Sequence, residues 1–150
     1  MIQIWYHSFM RLITRNTDYA VRALSYISRQ EEKVISVSQL VEKLNAPRPF
    51  LRKILQTLNK KGILISYKGQ GGGFVLAKKP EEIFLTDLIE NLQGGPIKLN
   101  ECLFKKMFCP DIKNCVLKKK IDDIEKYVVS QLKSITIASL SNNGCKARNC

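Results

Sequence analysis

One stretch, residues 47–76, constrains the fold of this chain more than any other. Its first part carries apolar residues at intervals of three and four, which predicts an amphipathic helix with one packed face. Residues 63–67 then predict a strand, residues 68–72 a glycine-rich turn, and residues 73–76 a returning strand. A basic helix followed by a two-stranded wing is typical of a DNA-binding domain. The apolar positions of the helix are Leu51, Ile54, Leu55 and Leu58.

The residues before this helix predict a second, shorter helix. Ser36 and Gln39 have the spacing of a capping box, in which two side chains bond the first free N–H groups of a helix. Pro47 and Pro49 suit a tight connection and a first helical turn, because proline is tolerated there but not in a helix interior. Two short helices joined in this way form a helix-turn-helix, here at about residues 37–60.

The charge of the chain favours a polyanionic partner. Lys and Arg exceed Asp and Glu by 12, and residues 1–80 hold 14 basic and 4 acidic side chains against 11 and 9 in residues 81–150. The excess therefore lies in the half that contains the predicted DNA-binding domain. Double-stranded DNA is the simplest partner, and an anionic membrane surface is the competing one. No apolar run is long enough to span a bilayer, so we expect no membrane partner.

Several residue types in this half suit contacts with DNA. Arginine and glutamine can pair with base edges in the major groove, which indicates Arg48, Arg52 and Gln56, with Lys53 beside them. Lys60, Lys61 and Lys68 are expected to contact phosphates, and the consecutive glycines allow a close approach to the sugar-phosphate backbone. The alternative interpretation of the two helices is that they are only packed amphipathic helices, and that of the glycine-rich segment is a plain hairpin turn. The predicted DNA-contacting set is Ser36, Arg48, Pro49, Phe50, Arg52, Lys53, Gln56, Lys60, Lys68, Gln70, Gly71 and Gly72.

Two further helices flank this region. Thr17 is the predicted N-cap of an earlier scaffold helix that runs to about residue 28. After the wing, residues 84–85 predict a brief strand, and Thr86 is the predicted N-cap of a connector helix that stops at residues 94–96.

The last predicted helix, from Val116, has a seam that resembles a heptad repeat. Such a seam can pack on its own domain, but its length in a small chain favours a partner helix and a two-fold homodimer. Two DNA-binding domains related by a two-fold axis can bind the two halves of a palindromic operator. The seam residues are Leu117, Ile121, Ile124, Val128, Leu132 and Ile135.

These elements predict the fold class and the domain order. The fold is mainly α with a small β-wing: a winged helix-turn-helix domain plus a long C-terminal dimerisation helix. A chain of 150 residues suits one compact domain with an appended helix. The expected division is an N-terminal extension (1–9), the DNA-binding domain (10–80), a connector, cysteine loop and dimerisation helix (81–140), and a disordered tail (141–150). A regular pattern begins only after Met10, so either Met1 or Met10 can be the native start.

Three of the five cysteines, Cys102, Cys109 and Cys115, fall in one short loop before the last helix. Buried small hydrophobic residues and a zinc site are two interpretations, but zinc sites usually pair cysteines two to four residues apart. The wider spacing here suits an iron-sulfur cluster. Cys145 and Cys150 in the tail are auxiliary thiols or an accidental pair.

The chain has no visible catalytic constellation. The only histidine, His7, lies in the predicted extension, and no paired-carboxylate motif occurs, so we do not expect an enzyme. The N-terminus lacks the features of a secretory signal, which predicts a cytoplasmic location.

Taken together, these motifs resemble the Rrf-two family of winged-helix regulators, particularly its iron-sulfur members of the IscR and NsrR types. The resemblance rests on residues 10–12 (MRL), 17–24 (TDYAVRAL) and 69–74 (GQGGGF), and on three cysteines before a long helix. It implies a homodimeric bacterial transcription regulator, usually a repressor. Its affinity for DNA would depend on a 2Fe-2S or 4Fe-4S cluster bound by Cys102, Cys109 and Cys115, which nitric oxide, oxygen or iron shortage would destroy or remove.

The sequence departs from this family pattern in two places. Six residues instead of the usual five separate the first two loop cysteines, and Lys118 stands where IscR-type members have a histidine ligand. Asp18 matches the position from which NsrR-type members supply a ligand across the dimer. An acid in a first helical turn is also favoured by the helix dipole alone, so both interpretations of Asp18 stay open. The alternatives for function are a clusterless regulator of the same family, which senses through thiols or a small ligand, and an iron-sulfur electron carrier.

Overall fold

The computed structural model of the protein describes residues 12–30, 33–99 and 114–142. The fold is mostly helical with one small two-stranded sheet, which confirms the predicted class. In chain order, the elements are α1 (Arg15–Ser28), α2 (Val37–Leu44), α3 (Arg48–Lys60), β1 (Leu64–Tyr67), β2 (Gly73–Leu76), a 3-10 turn (Pro80–Glu82), α4 (Leu85–Gln93), α5 (Val116–Lys133) and α6 (Ile137–Asn142).

Helix α1 begins earlier than predicted. Its N-cap is Thr14, whose hydroxyl accepts the backbone N–H of Thr17 at 3.4 Å. Thr17 lies inside the first turn, fully buried, with its own hydroxyl 3.2 Å from that of Thr14. The prediction of Thr17 as N-cap was therefore wrong, because two threonines three residues apart both fit the capping rule and only one has the extended backbone of a cap.

Helices α2 and α3 form as their local signals predict. Ser36 is the N-cap of α2, and its capping box with Gln39 is complete in both directions, at 3.3 and 2.8 Å. Asn45 ends α2 in the left-handed conformation with φ of 47°. Helix α3 begins at Arg48, with Pro49 in its first turn, where no intrahelical N–H bond is required. The two helices therefore form the predicted helix-turn-helix.

The wing is an antiparallel pair in which Leu64 is opposite Leu76 and Tyr67 is opposite Gly73. It is joined to the segment before α2, because Ile35 exchanges backbone hydrogen bonds of 3.0 and 2.9 Å with Phe74. Gly73 allows this close approach, since an added Cβ would lie 2.3 Å from the carbonyl oxygen of Ile35. The wing is thus attached to the start of the helix-turn-helix.

Two clusters of buried side chains hold these elements together. The larger one joins α1, α2, α3 and the wing, and includes Leu24, Leu40 and Leu55, all fully buried. The smaller one joins α4 to α5 through Leu85, Ile89, Ile97 and Leu132. Helix α4 lies between the two clusters, because Leu88 packs in the larger one while Leu85 and Ile89 pack in the smaller one.

The chain around α4 differs from the prediction. Phe84 forms only an isolated backbone bridge with Thr136, and α4 begins directly after it at Leu85, so residues 84–85 do not make a strand. Thr86 is buried inside the first turn and is not the N-cap. The predicted stop is confirmed, because Gly94 ends the helix in the left-handed region with φ of 79°.

The end of α5 also differs. The helix stops at Lys133, before the last predicted seam residue, Ile135. The backbone then pairs with the start of α4, because Leu85 N–H donates to the Ile135 carbonyl and Ile137 N–H donates to the Ile83 carbonyl, each at 2.9 Å. Ile137 is fully buried, and α6 continues to Asn142, two residues into the predicted tail. The rest of that tail, and with it Cys145 and Cys150, lies outside the described residues.

Candidate nucleic-acid interface

A groove of about 980 Å³ runs between α3, the start of α2 and the wing. One wall is the exposed face of α3, a second is the first turn of α2, and the third is the glycine-rich turn with the adjoining ends of both strands. The predicted residues that line it are Ser36, Arg48, Arg52, Gln56, Lys68, Gly71 and Gly72.

The α3 wall presents polar side chains because the opposite face of the helix is packed. Leu51, Ile54, Leu55 and Leu58 are buried in the larger cluster, which turns Arg48, Arg52 and Gln56 outward at intervals of four residues. Among themselves, the described residues form two ion pairs, Lys118 with Asp122 and Lys126 with Asp123, and both lie on α5. The two arginines of the groove are therefore not neutralised by any described carboxylate.

The remaining predicted DNA contacts lie outside the groove. Lys53, Lys60 and Pro49 are exposed on other parts of α3, and Gln70 is exposed at the tip of the turn. Phe50 is half-buried and packs edge-on against Tyr19, with ring centroids 5.5 Å apart. Phe50 thus joins α3 to α1, which gives it a structural role that the sequence did not indicate.

The wing wall depends on backbone conformations that favour glycine. Gly71 has φ of 80° with open space around it, so a larger residue there would be strained by its backbone and not by a clash. The exposed turn can therefore lie close to a flat or curved partner, as the prediction of a DNA-contacting wing requires.

Several residues of the groove are not among the DNA contacts predicted from the sequence. On α3, Asn59 follows Gln56 by three residues and continues the polar stripe, a spacing that could have indicated it. No sequence spacing indicated the missed residues on the α2 and wing walls. The wing lies beside the start of α2 only because Ile35 pairs with Phe74 in the folded chain. The missed lining residues with polar side-chain groups are Ser38, Gln39, Asn59, Ser66 and Tyr67.

The predicted metal ligands are only partly covered by the described residues. Cys102 and Cys109 lie outside them, while Cys115 is half-buried at the N-cap of α5, where its Sγ accepts the N–H of Lys118 at 3.4 Å. Asp18 is exposed in the first turn of α1. No group of three metal-ligating side chains occurs among residues 12–30, 33–99 and 114–142.

A match to a known protein family assigns this chain to that family. A family described as "Rrf2: Iron-dependent Transcriptional regulator" matches residues 13–143. The chain belongs to the Rrf2 family. Its members are transcriptional regulators, so this chain is a DNA-binding regulator and not an enzyme.

Relatives from two bacteria extend this result. A protein of Aquifex aeolicus named as an HTH-type transcriptional regulator is 33% identical over 126 residues, which cover 83% of this chain and 87% of that protein. An rrf2-like HTH-type regulator of Rhodobacter capsulatus is 25% identical over 138 residues, which cover 86% of this chain and 91% of that protein.

Two solved structures share the fold. CymR, the global cysteine regulator of B. subtilis, superposes with a TM-score of 0.70 at 23% identity and covers 88% of this chain and 97% of its own. IscR of T. potens superposes with a TM-score of 0.69 at 24% identity, covering 92% of this chain and 91% of its own. None of the described helices is both long and apolar enough to cross a bilayer.

Proposed function

We propose that this Rrf2 regulator acts in the cytoplasm as a homodimeric repressor whose affinity for a palindromic operator is controlled by an iron-sulfur cluster. The cluster would be held by Cys102, Cys109 and Cys115, with Asp18 of the partner subunit as a candidate fourth ligand. The observation that carries the proposal is the position of Cys115, which is the N-cap of α5, the helix that packs on α4.

The groove supports the DNA-binding part of the proposal. Arg48, Arg52 and Gln56 project from one face of α3 and suit base edges in a major groove, while Lys68 on the wing suits a phosphate. Lys53 and Lys60, which lie outside the groove, remain suited to phosphates on either side of it. Such contacts make binding fall steeply as salt rises, because each neutralised phosphate releases counterions.

The exposed apolar face of α5 supports the dimer. Leu117 is 69% exposed and Ile124 is 56% exposed, and both belong to the predicted seam. Covering such side chains is favourable by about 25 cal/mol per Å² of apolar surface removed from water. A second copy of α5, packed along the same seam, would cover them and place two grooves in a two-fold arrangement.

The chemistry of Cys115 suits a cluster ligand. Its sulfur accepts a hydrogen bond from a helix N-terminus, so its electron pairs, and not its proton, face the helix. Thiolate sulfur is the ligand that iron-sulfur clusters prefer. When bound, the cluster would supply a redox-sensitive link between the cysteine loop and α5.

A continuous set of packed side chains leads from α5 to α3. Leu132 of α5 packs with Leu85 and Ile89 of α4, and Leu88 of the same helix packs in the cluster that holds α3. A change in the position of α5 would therefore shift α4 and, through it, α3. For the cluster to control DNA affinity, α5, α4 and α3 must have two alternative arrangements that differ in DNA affinity. The cluster must bind one of these arrangements more tightly than the other.

One observation favours a second candidate, a clusterless regulator that senses through its thiols or a small ligand. Lys118 stands where IscR-type members supply a histidine, and its ammonium group contacts the carboxylate of Asp122 instead of offering a ligand. An oxygen ligand would then have to replace the histidine. Family membership assigns transcriptional regulation, so the electron-carrier alternative is not carried further.

Anaerobic purification distinguishes the two candidates. If the cluster is present, the protein is brown, absorbs visible light and contains stoichiometric iron and sulfide. The Cys109→Ala variant should fold but lack the colour, the visible absorption and the bound iron and sulfide. Operator binding by Cys109→Ala should no longer respond to nitric oxide or oxygen in a gel-shift assay, while the matched variant Cys150→Ala should respond as the natural chain does. A colourless protein whose response persists in Cys109→Ala would overturn the cluster and leave the thiol sensor.

A further inference from the structure

Gln39 lies in the groove but was not among the predicted DNA contacts. It is exposed on the first turn of α2 and lines the groove on the wall beside Ser36. Two walls of this groove already have a proposed role in DNA binding: the arginines of α3 would contact the DNA, and the glycines of the wing would allow its close approach. The α2 wall has no charged side chain, so its contribution depends on how its polar side chains are held.

The capping box fixes the orientation of the Gln39 carboxamide. The backbone N–H of Ser36 donates to this side chain at 2.8 Å, and an N–H can bond only an acceptor, so the contacting atom is Oε1. The backbone N–H of Gln39 donates in return to the Ser36 hydroxyl at 3.3 Å. The box therefore uses the oxygen of the carboxamide and leaves its nitrogen, with two N–H donors, unused by any described residue.

We propose that Nε2 of Gln39 is a preset hydrogen-bond donor to a phosphate oxygen of the operator. The inference rests on the proposed DNA-binding function of the groove. The side chain is folded back onto the backbone N–H of Ser36, so in this conformation it does not extend to base edges on the floor of a DNA groove. The phosphates are the outermost part of the duplex, so a phosphate oxygen can approach Nε2 of Gln39. The donor is already ordered before binding, so little side-chain entropy is lost when the contact forms.

The Gln39→Glu variant separates this role from helix capping. Glutamate is the usual partner in a capping box, so Oε1 can still accept the Ser36 N–H, and an acid in a first turn is favoured by the helix dipole. The thermal midpoint should therefore be equal or higher. The donor, however, is replaced by a carboxylate that repels phosphate. We expect operator affinity to fall by roughly tenfold or more.

The assay uses the full-length chain, purified anaerobically, and a fluorescent duplex selected by the natural chain from a random-sequence pool. Gln131→Glu on α5 is the matched control, because it makes the same isosteric change on an exposed residue outside the groove. It should weaken binding less than about threefold, since salt screens distant charges. An equal, small effect of the two variants would overturn the proposal.

Two further outcomes are informative. Against duplexes altered at single positions, Gln39→Glu should lose affinity by the same factor for each sequence, and a loss confined to one base pair would replace the phosphate contact with a base contact. Arg52→Ala tests the groove itself. If it leaves affinity unchanged, the groove is not the DNA site and the proposed function fails; if it weakens binding while Gln39→Glu does not, only this inference fails.

Discussion

Helices α3 and α5 carry the same kind of amphipathic pattern but have different surroundings. In α3, all four apolar positions at intervals of three and four are buried within the DNA-binding domain. In α5, which is five residues longer, Leu132 alone is buried, while Val116, Leu117, Ile124 and Tyr127 are 56–70% exposed. Periodicity thus indicates that a helix has an apolar face, but it does not indicate whether the same chain or a second one covers it.

The largest expected effect tests the packed side of this comparison. Leu55→Ala in α3 removes a fully buried side chain and should lower the free energy of unfolding by about 2–5 kcal/mol, because the lost contacts leave a cavity. Chemical denaturation measures it. Val116→Ala, at a position 70% exposed, should change stability by less than about 0.5 kcal/mol. Equal losses in the two variants would contradict the difference between the helices.

A smaller loss is expected where the wing meets the helix-turn-helix. Gly73→Ala places a Cβ against the backbone of Ile35, which cannot move aside as a flexible side chain would, so stability should fall by about 1–3 kcal/mol and operator binding should weaken with it. Gly95→Ala, which meets no atom within 4 Å, is the control. Thermal melting and a gel shift measure both effects. A Gly73→Ala variant as stable as Gly95→Ala would show that the wing is free to move away from Ile35.

The exposed side of the comparison is tested by the oligomeric state. Ile124→Lys puts a charge in the middle of the proposed α5 seam and should raise the dimer dissociation constant by at least about tenfold, because the ammonium group would be taken out of water without a partner. Sedimentation velocity over a range of protein concentrations measures this. Lys119→Ala, away from the seam, should leave the dissociation constant unchanged. If both variants sediment alike, the seam does not carry the dimer.

The smallest expected effect concerns the start of α1. Thr14→Ala removes the hydroxyl that caps the helix and should cost about 1 kcal/mol, while Thr14→Ser keeps the hydroxyl and should cost less. Thermal melting of the two variants checks this difference. If Thr14→Ala melts with Thr14→Ser, the cap contributes nothing to the stability of the domain.

Elements that depend on neighbouring residues in sequence were predicted well. The capping box of Ser36 and Gln39, the prolines before α3 and the glycines of the turn each act over a few residues, and α2, α3 and β2 form where they were expected. Errors arose where distant segments decide the backbone. Residues 84–85 were predicted as a strand, but Leu85 begins α4, and its backbone N–H bonds the carbonyl of Ile135, two residues beyond the end of α5.

The sequence by itself determined the order of the helices, the two-stranded wing, the basic stripe of α3 and the family to which the chain belongs. Only the tertiary structure decided that Thr17 is buried inside α1, that Phe50 packs on Tyr19, and that Gln39 faces the same groove as Arg52. The physical reason is that hydrogen bonds within a turn and apolar periodicity are set by a few consecutive residues. Burial and the lining of a groove are set by atoms that the chain brings together only when it folds.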